Sequence, residues 1–179
     1  VRPGYPFAAP ATFARTSGDP HPRADAMVTT LAKVALVVRV ADCVPVLLAD
    51  RQARVIGVAH AGRAGLLGGI LEQCLAVMAN HGAEQIQAWI GPHICAGCYE
   101  VPPDMAEKAW QAIPATESRS KKDTPAIDLG AGAEAILVDR GVQVTCLDPC
   151  TSCDPRFFSH RRDRGQTGRQ AGVIWLENP

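Results

Sequence analysis

Three apolar, β-branched runs crowd together in this chain, at residues 34–40, 44–49 and 55–59. Val, Ile and Leu dominate them, and each has the length of a strand rather than a helix. The links between them, 41–43 and 50–54, are far shorter than a helical crossover requires. The three runs are therefore expected to pair as antiparallel hairpins, which is incompatible with strict βαβ alternation. Pro45 lacks an amide hydrogen, so it marks a strand start or a bulge.

The rest of the chain mixes both kinds of element. Helices are expected at 66–80, ended by His81-Gly82, at 103–113 with Pro103 in the first turn, and at 129–140, closed by Gly141. Further strands are expected at 86–90, 142–147 and 173–176. Residues 117–123 read as a charged loop, and 148–170 as a polar, basic stretch rich in turn formers. Residues 1–22 contain five prolines and little periodicity, and read as an arm. Residues 23–179 are then one catalytic domain, which suits a chain of 179 residues. The expected fold is mixed α/β (α+β type), with mixed or antiparallel sheets flanked by helices.

Lys plus Arg and Asp plus Glu number 18 each, so no overall field draws the chain to nucleic acid or an anionic membrane. No apolar run reaches the 18 residues of a membrane-spanning helix. Seven cysteines do not pair evenly, which points to reduced thiols and a cytoplasmic setting. No secretory leader is seen, and Val1 in place of Met implies processing or a fragment.

Hairpin arithmetic singles out one pair. If the strands at 44–49 and 55–59 turn around Arg51-Gln52, opposed residue numbers sum to 103, and Cys43 faces His60. Opposed Cβ atoms lie about 4.5–5.5 Å apart. That spacing lets one metal bridge thiolate and imidazole, or lets the two act as a thiolate–imidazolium nucleophile pair. It equally describes a buried core thiol beside a hydrogen-bonded strand-end histidine. Asp42 is placed either to orient the imidazole or a substrate hydroxyl, or to bond backbone amides at a strand end.

Three further features carry chemistry. Gly62, Gly65, Gly68 and Gly69 sit at a helix mouth, where free amides attract anions or where strand and helix pack closely. Cys95-Ala-Gly-Cys98 and Cys150-Thr-Ser-Cys153 have zinc-knuckle spacing. The 51 residues from 99 through 149 that separate them are long for a zinc ribbon, which favours reduced, unligated thiols. Arg156, Arg161, Arg162, Arg164 and Arg169 fall within 14 residues, with His160 among them. They suit a phosphate or carboxylate, or form a solvated basic face.

As a set, these motifs resemble the YfiH-like laccase-domain family. Ala41 to Asp50 resembles its ADC-x-PVLLAD segment, Val58 to Gly62 its VHAG segment, and Ala24 to Thr29 its ADALVT segment. Gly91-Pro92, Cys98-Tyr99-Glu100-Val101, Phe157-Phe158-Ser159, Arg161-Arg162-Asp163 and Thr167-Gly168-Arg169 follow in the family's order. The resemblance implies a metal held by two histidines and one cysteine, of which Cys43 and His60 match two. The other histidine belongs to a Gln-Val-His segment that has no counterpart here; His21 lies too near residue 24 to be its equivalent but is a candidate to substitute for it. Where the family reads His-Ala-Gly-Trp-Arg-Gly, this chain has Arg63 and Ala64 in place of Trp-Arg.

The resemblance implies two activities. One is a metal-dependent purine nucleoside enzyme, a phosphorylase on adenosine, inosine and methylthioadenosine and an adenosine deaminase. The other is a copper-dependent polyphenol oxidoreductase, or laccase. A truncated scaffold that binds nucleoside without turnover is a third reading. In the first, the implied catalytic set is Cys43, His60 and Asp42, with zinc (or copper) on Cys43 and His60. Arg63, Cys98, Tyr99, Arg161, Arg162 and Arg169 are the expected contacts to nucleoside and phosphate. Five histidines, at 21, 60, 81, 93 and 160, are few and scattered for a multicopper centre.

Overall fold

The computed structural model describes residues 11–13, 24–147 and 149–178. Most of the Pro-rich arm, including His21, lies outside them. Ten strands and four helices follow in order: β1 (Ala11–Phe13), β2 (Ala26–Thr29), β3 (Leu36–Val40), β4 (Val44–Asp50), β5 (Val55–Ala61), α1 (Arg63–Leu67), α2 (Ile70–Asn80), β6 (Gln87–Ile90), α3 (Pro103–Ala112), β7 (Glu117–Arg119), β8 (Pro125–Ile127), α4 (Leu129–Asp139), β9 (Gln143–Cys146) and β10 (Gln170–Ile174). Six strands form one mixed sheet in the order β1-β2-β5-β4-β6-β9. Its inner pairs β2–β5, β5–β4 and β4–β6 are antiparallel, and its outer pairs β1–β2 and β6–β9 are parallel. Two two-stranded ribbons, β3–β10 and β7–β8, complete the fold. The expected α+β class with mixed sheets is the one observed.

The sheet is covered on both faces, which explains its near-continuous apolar strands. On one face the side chains of α1, α2 and α4, among them Leu66, Leu67, Ile70, Leu71, Met78, Leu129 and Leu137, pack on Val44, Val46, Leu48 and Val55. Burying each side chain of this size stabilises the fold by about 1.5–3 kcal/mol. α2 crosses β5 at Gly57, where a Cβ would stand 3.1 Å from Met78 Sδ and 3.2 Å from Cys74 Sγ. On the other face Leu36, Val38 and Val40 of β3 meet Ala49, Ile56 and Val58. β3 alternates buried and exposed residues, as a strand with one solvated face must.

Three expectations need correction. The strand at 34–40 does not form a hairpin with the next one; it leaves for a second layer and pairs antiparallel with β10. The three-residue link 41–43 turns the chain away through Asp42, whose φ of 85° lies in the left-handed region. The helix expected at 66–80 is two helices, because Gly69 adopts φ 86° and breaks the ladder after α1. Part of the charged loop is a strand, β7; β1 falls within the arm, and β2 starts at Ala26.

Candidate active site and thiol cluster

β4 and β5 pair with Pro45 opposite His60 and Asp50 opposite Val55, so opposed numbers sum to 105, not 103. The turn spans four residues, 51–54, and Arg54 closes it with φ 55°. The two extra turn residues displace the register by two. An even displacement keeps every side chain on its face. Cys43, just ahead of β4, therefore still meets His60, diagonally rather than directly. A Cβ built on Gly62 would lie 3.1 Å from Cys43 Sγ and 3.4 Å from His60 Cε1 and Nε2. Glycine at 62 leaves that space to the thiol and the ring. Gly65 is another packing position, its missing Cβ facing the His60 carbonyl oxygen at 3.1 Å.

The imidazole is held by a carboxylate that the spacing of motifs did not single out. β2 pairs with β5 so that Ala26 opposes Ala59, which brings Asp25 beside His60. The His60 amide donates to the Asp25 carbonyl at 2.7 Å, and Nδ1 lies 3.0 Å from Asp25 Oδ1. A carboxylate only accepts, so Nδ1 carries the proton and Nε2 is turned toward Cys43. The hydrogen bond to Cys43 raises the His60 pKa to about 9; burial opposes this and Asp25 reinforces it.

Asp42 has another task. Its buried carboxylate accepts the Thr151 hydroxyl at 2.6 Å on Oδ1 and the Arg161 backbone N–H at 2.6 Å on Oδ2. Its carbonyl accepts the Ile94 N–H at 2.9 Å. It ties together the loops that follow β6 and β9, and the imidazole's carboxylate partner is Asp25.

These loops wall a cavity of about 390 Å³ lined by Arg39, Cys43, His60, Tyr99, His160, Arg161 and Arg169, with Asp42 in its wall. The volume is that of a small-ligand site. The Arg161 guanidinium stacks over the Tyr99 ring at 5.1 Å and donates to the Glu100 carbonyl at 2.8 Å. Burial raises the Tyr99 pKa, against the nearby charges of Arg63 and Arg161. Arg63 thus reaches the site through Tyr99 rather than from the lining. Arg162 is not brought to the cavity: it grips Asp163 and the carbonyls of Thr151, Asp154 and Phe157, which braces its own loop. Cys98 is also drawn elsewhere.

Its thiol joins Cys95, Cys150 and Cys153 in a cluster whose four sulfurs all lie within 4.8 Å of one another. β6 and β9 are parallel neighbours, with Ile90 beside Cys146, so both chains leave the sheet at the same end. A bridge between His93 and Cys150 and the bond from Thr151 N–H to the His93 carbonyl carry the pairing on into the loops. Separation along the sequence therefore says nothing against a shared site, and four thiols so placed could hold a metal ion. Cys98 and Cys153 sulfurs are 3.4 Å apart, and the Cys95 amide donates to Cys150 Sγ at 3.2 Å. Lys121 Nζ lies 3.1 Å from Cys153 Sγ and, with Cys98 and Cys150, lowers its pKa to about 7. Burial and then Cys150 raise that of Cys95 to about 12.

Residues 9–177 match the family described as multi-copper polyphenol oxidoreductase laccase. A Mycobacterium tuberculosis protein named purine nucleoside phosphorylase is 44% identical over 156 residues, which cover 86% of this chain and 62% of that protein. A Streptomyces griseus protein of the same name is 45% identical over 159 residues, covering 87% and 64%. The chain thus spans under two thirds of the length of these relatives. A crystal structure of the Neisseria meningitidis protein NMB0706 superposes with a TM-score of 0.82 at 37% identity, covering 96% of this chain and 72% of that one. The Bacillus licheniformis protein YfiH gives 0.76 at 32% identity, covering 86% and 62%.

Proposed function

This chain belongs to the multi-copper polyphenol oxidoreductase laccase family, and on that premise we propose that it is a purine nucleoside phosphorylase using one divalent ion, zinc rather than copper. Its substrates are adenosine, inosine or methylthioadenosine with phosphate, and adenosine is also deaminated. The observation that carries the reading is the single cavity in which Cys43 and His60 face Tyr99, Arg161 and Arg169.

The donors fit a metal: a thiol and an imidazole Nε2 converge beside Gly62, and a carboxylate fixes the ring's other nitrogen. The described residues around that point supply these two donors, and His21 lies outside them. A zinc ion held there would supply a Lewis acid with an open position. The chain's own groups do the rest. The Tyr99 ring, backed by Arg161, offers a flat face to a purine. Arg161 and Arg169 place positive charge where phosphate must sit before an oxygen replaces the base on the ribose. Asp25 keeps the proton on His60 Nδ1. Asp42, through Thr151 and Arg161, holds the basic loop at the cavity and acts by positioning.

Phenol oxidation is the weaker reading because of the histidine inventory. Of the histidines in the described residues, only His60 and His160 line the cavity. His93 donates from Nδ1 to the Gly91 carbonyl and packs against Gly130. The test loads the protein, with its native N-terminus, with zinc and copper separately. Each form is given adenosine or inosine with phosphate, then a phenol with oxygen. Free base or deaminated nucleoside is expected from the zinc form and lost in Cys43→Ala. Oxygen uptake that scales with copper, without nucleoside turnover, overturns the proposal.

A further inference from the structure

We propose that Cys95, Cys98, Cys150 and Cys153 bind one Zn²⁺ in a closed tetrahedral site, separate from Cys43 and His60, that staples the loop bearing Tyr99 to the loop bearing Thr151 and Arg161. Zinc–thiolate bonds of about 2.3 Å put the corners of a tetrahedron about 3.8 Å apart. The four sulfurs lie within 4.8 Å of one another, so an ion at their centre needs only small side-chain adjustments. The shortest sulfur contact described, 3.4 Å, is far outside the roughly 2.05 Å of a disulfide. Each CxxC supplies two ligands from one turn: Cys95 leads into a short 3₁₀ turn ending at Cys98, and Cys153 N–H bonds the Cys150 carbonyl in the same manner.

The surroundings match a thiolate-rich ion. Four thiolates and Zn²⁺ leave two excess negative charges. The Lys121 ammonium at Cys153 Sγ and the Cys95 amide at Cys150 Sγ are donors placed on the sulfurs. Binding releases the thiol protons to solvent and leaves no open position, which makes the site structural rather than catalytic. Its place in the fold gives it a purpose. Cys98 precedes Tyr99, and Cys150 precedes Thr151, whose hydroxyl holds Asp42, which in turn holds Arg161. One wall, at Tyr99, is one residue from a ligand, and the other, at Arg161, is tied through Asp42 to Thr151, the residue after a ligand.

The test uses the full chain purified under reducing conditions. After dialysis against a chelator, one tightly held zinc per chain is expected. It should persist in Cys43→Ala and disappear in the double variant Cys98→Ser, Cys153→Ser. Cobalt exchanged for that chelator-resistant zinc alone should show thiolate-to-cobalt charge transfer and intense tetrahedral bands, retained in Cys43→Ala. Zinc should protect four thiols from a thiol reagent, a measurement on wild type that stands even if the double variant does not fold. Full reactivity of those thiols with zinc present, a Cys98–Cys153 disulfide in the reduced preparation, or an iron–thiolate spectrum overturns the assignment. Nucleoside turnover is not a readout, so this outcome is independent of the proposed activity.

Discussion

Three arginines of one loop, Arg161, Arg162 and Arg169, carry the same charge to different ends. Arg161 and Arg169 line the cavity, whereas Arg162 satisfies its fork on Asp163 and three backbone carbonyls. Removing a charged hydrogen-bond partner costs about 1.5–3 kcal/mol. Arg169→Gln is therefore expected to raise the KM for phosphate about 10–100-fold. Arg162→Gln should lower the Tm and leave that KM nearly unchanged. Steady-state kinetics at varied phosphate, beside a thermal melt, separate the two; an unchanged KM in Arg169→Gln returns it to the solvated surface. The sequence shows the cluster but not this division, because each guanidinium's partner is set by loop geometry. The same holds for Asp25. It lies 35 residues before His60 and reaches it only because β2 pairs with β5. Cys43 and His60 were legible because parity along a strand survives an error of two in register.

At the scale of elements, the β4–β5 hairpin is the clearest case of one side chain holding a turn. Asp50 is buried at the end of β4, and its two oxygens accept the N–H groups of Gln52, Ala53, Glu84 and Gln85 at 2.7–2.9 Å. Burial alone would raise its pKa, but these four donors outweigh burial and hold it below the ordinary carboxylate value. Asp50→Ala takes the acceptor from four part-buried amides and should cost about 1–3 kcal/mol, read from a denaturant midpoint. The pH dependence follows from the sign of the shift. A depressed native pKa gives stability that is fully present above the unfolded value near 3.8 and is lost as pH falls through the native one. The gap between wild type and Asp50→Ala should thus narrow below about pH 4; a constant gap would show that the carboxylate's charge is not what the amides need. Arg51-Gln52 could not announce a four-residue turn, because the decisive contacts come from residues 84 and 85 in another loop. The helices and the longer strands were readable from periodicity, whereas the short strands β1, β2, β7 and β8 and the pairing partners were not. The strand at 34–40 looked like a hairpin neighbour of 44–49, and the left-handed Asp42 sends it to another layer.

The molecule is a sheet with two unequal cores, and the loop that carries Arg161 and Arg169 runs from the main sheet to a strand of the smaller one. The helix side buries a large cluster running from Val44 through Leu66, Leu71 and Met78 to Leu137, while the β3–β10 side buries Leu36, Val38, Val40, Ala49, Ile56 and Val58. β10 exposes alternate residues, and β3 exposes Val37 and Arg39. A layer with fewer buried apolar groups opens at lower free energy than the core it covers. Yet β3 runs directly into Asp42 and Cys43, and β10 begins one residue after Arg169. The cavity is thereby built between a rigid side, β5 with His60, and a side that can open without global unfolding. Amide hydrogen exchange should show the β3–β10 ladder exchanging well before β4–β5. Leu36→Ala, expected to cost about 2–5 kcal/mol by removing a buried side chain, should widen that difference. A bound phosphate should slow exchange in β10 more than in β4, since Arg169 would then tie the outer layer to the ligand. Equal protection of both ladders in the free protein would mean that the two layers unfold as one unit, and that substrate binding draws on no looser half of this structure.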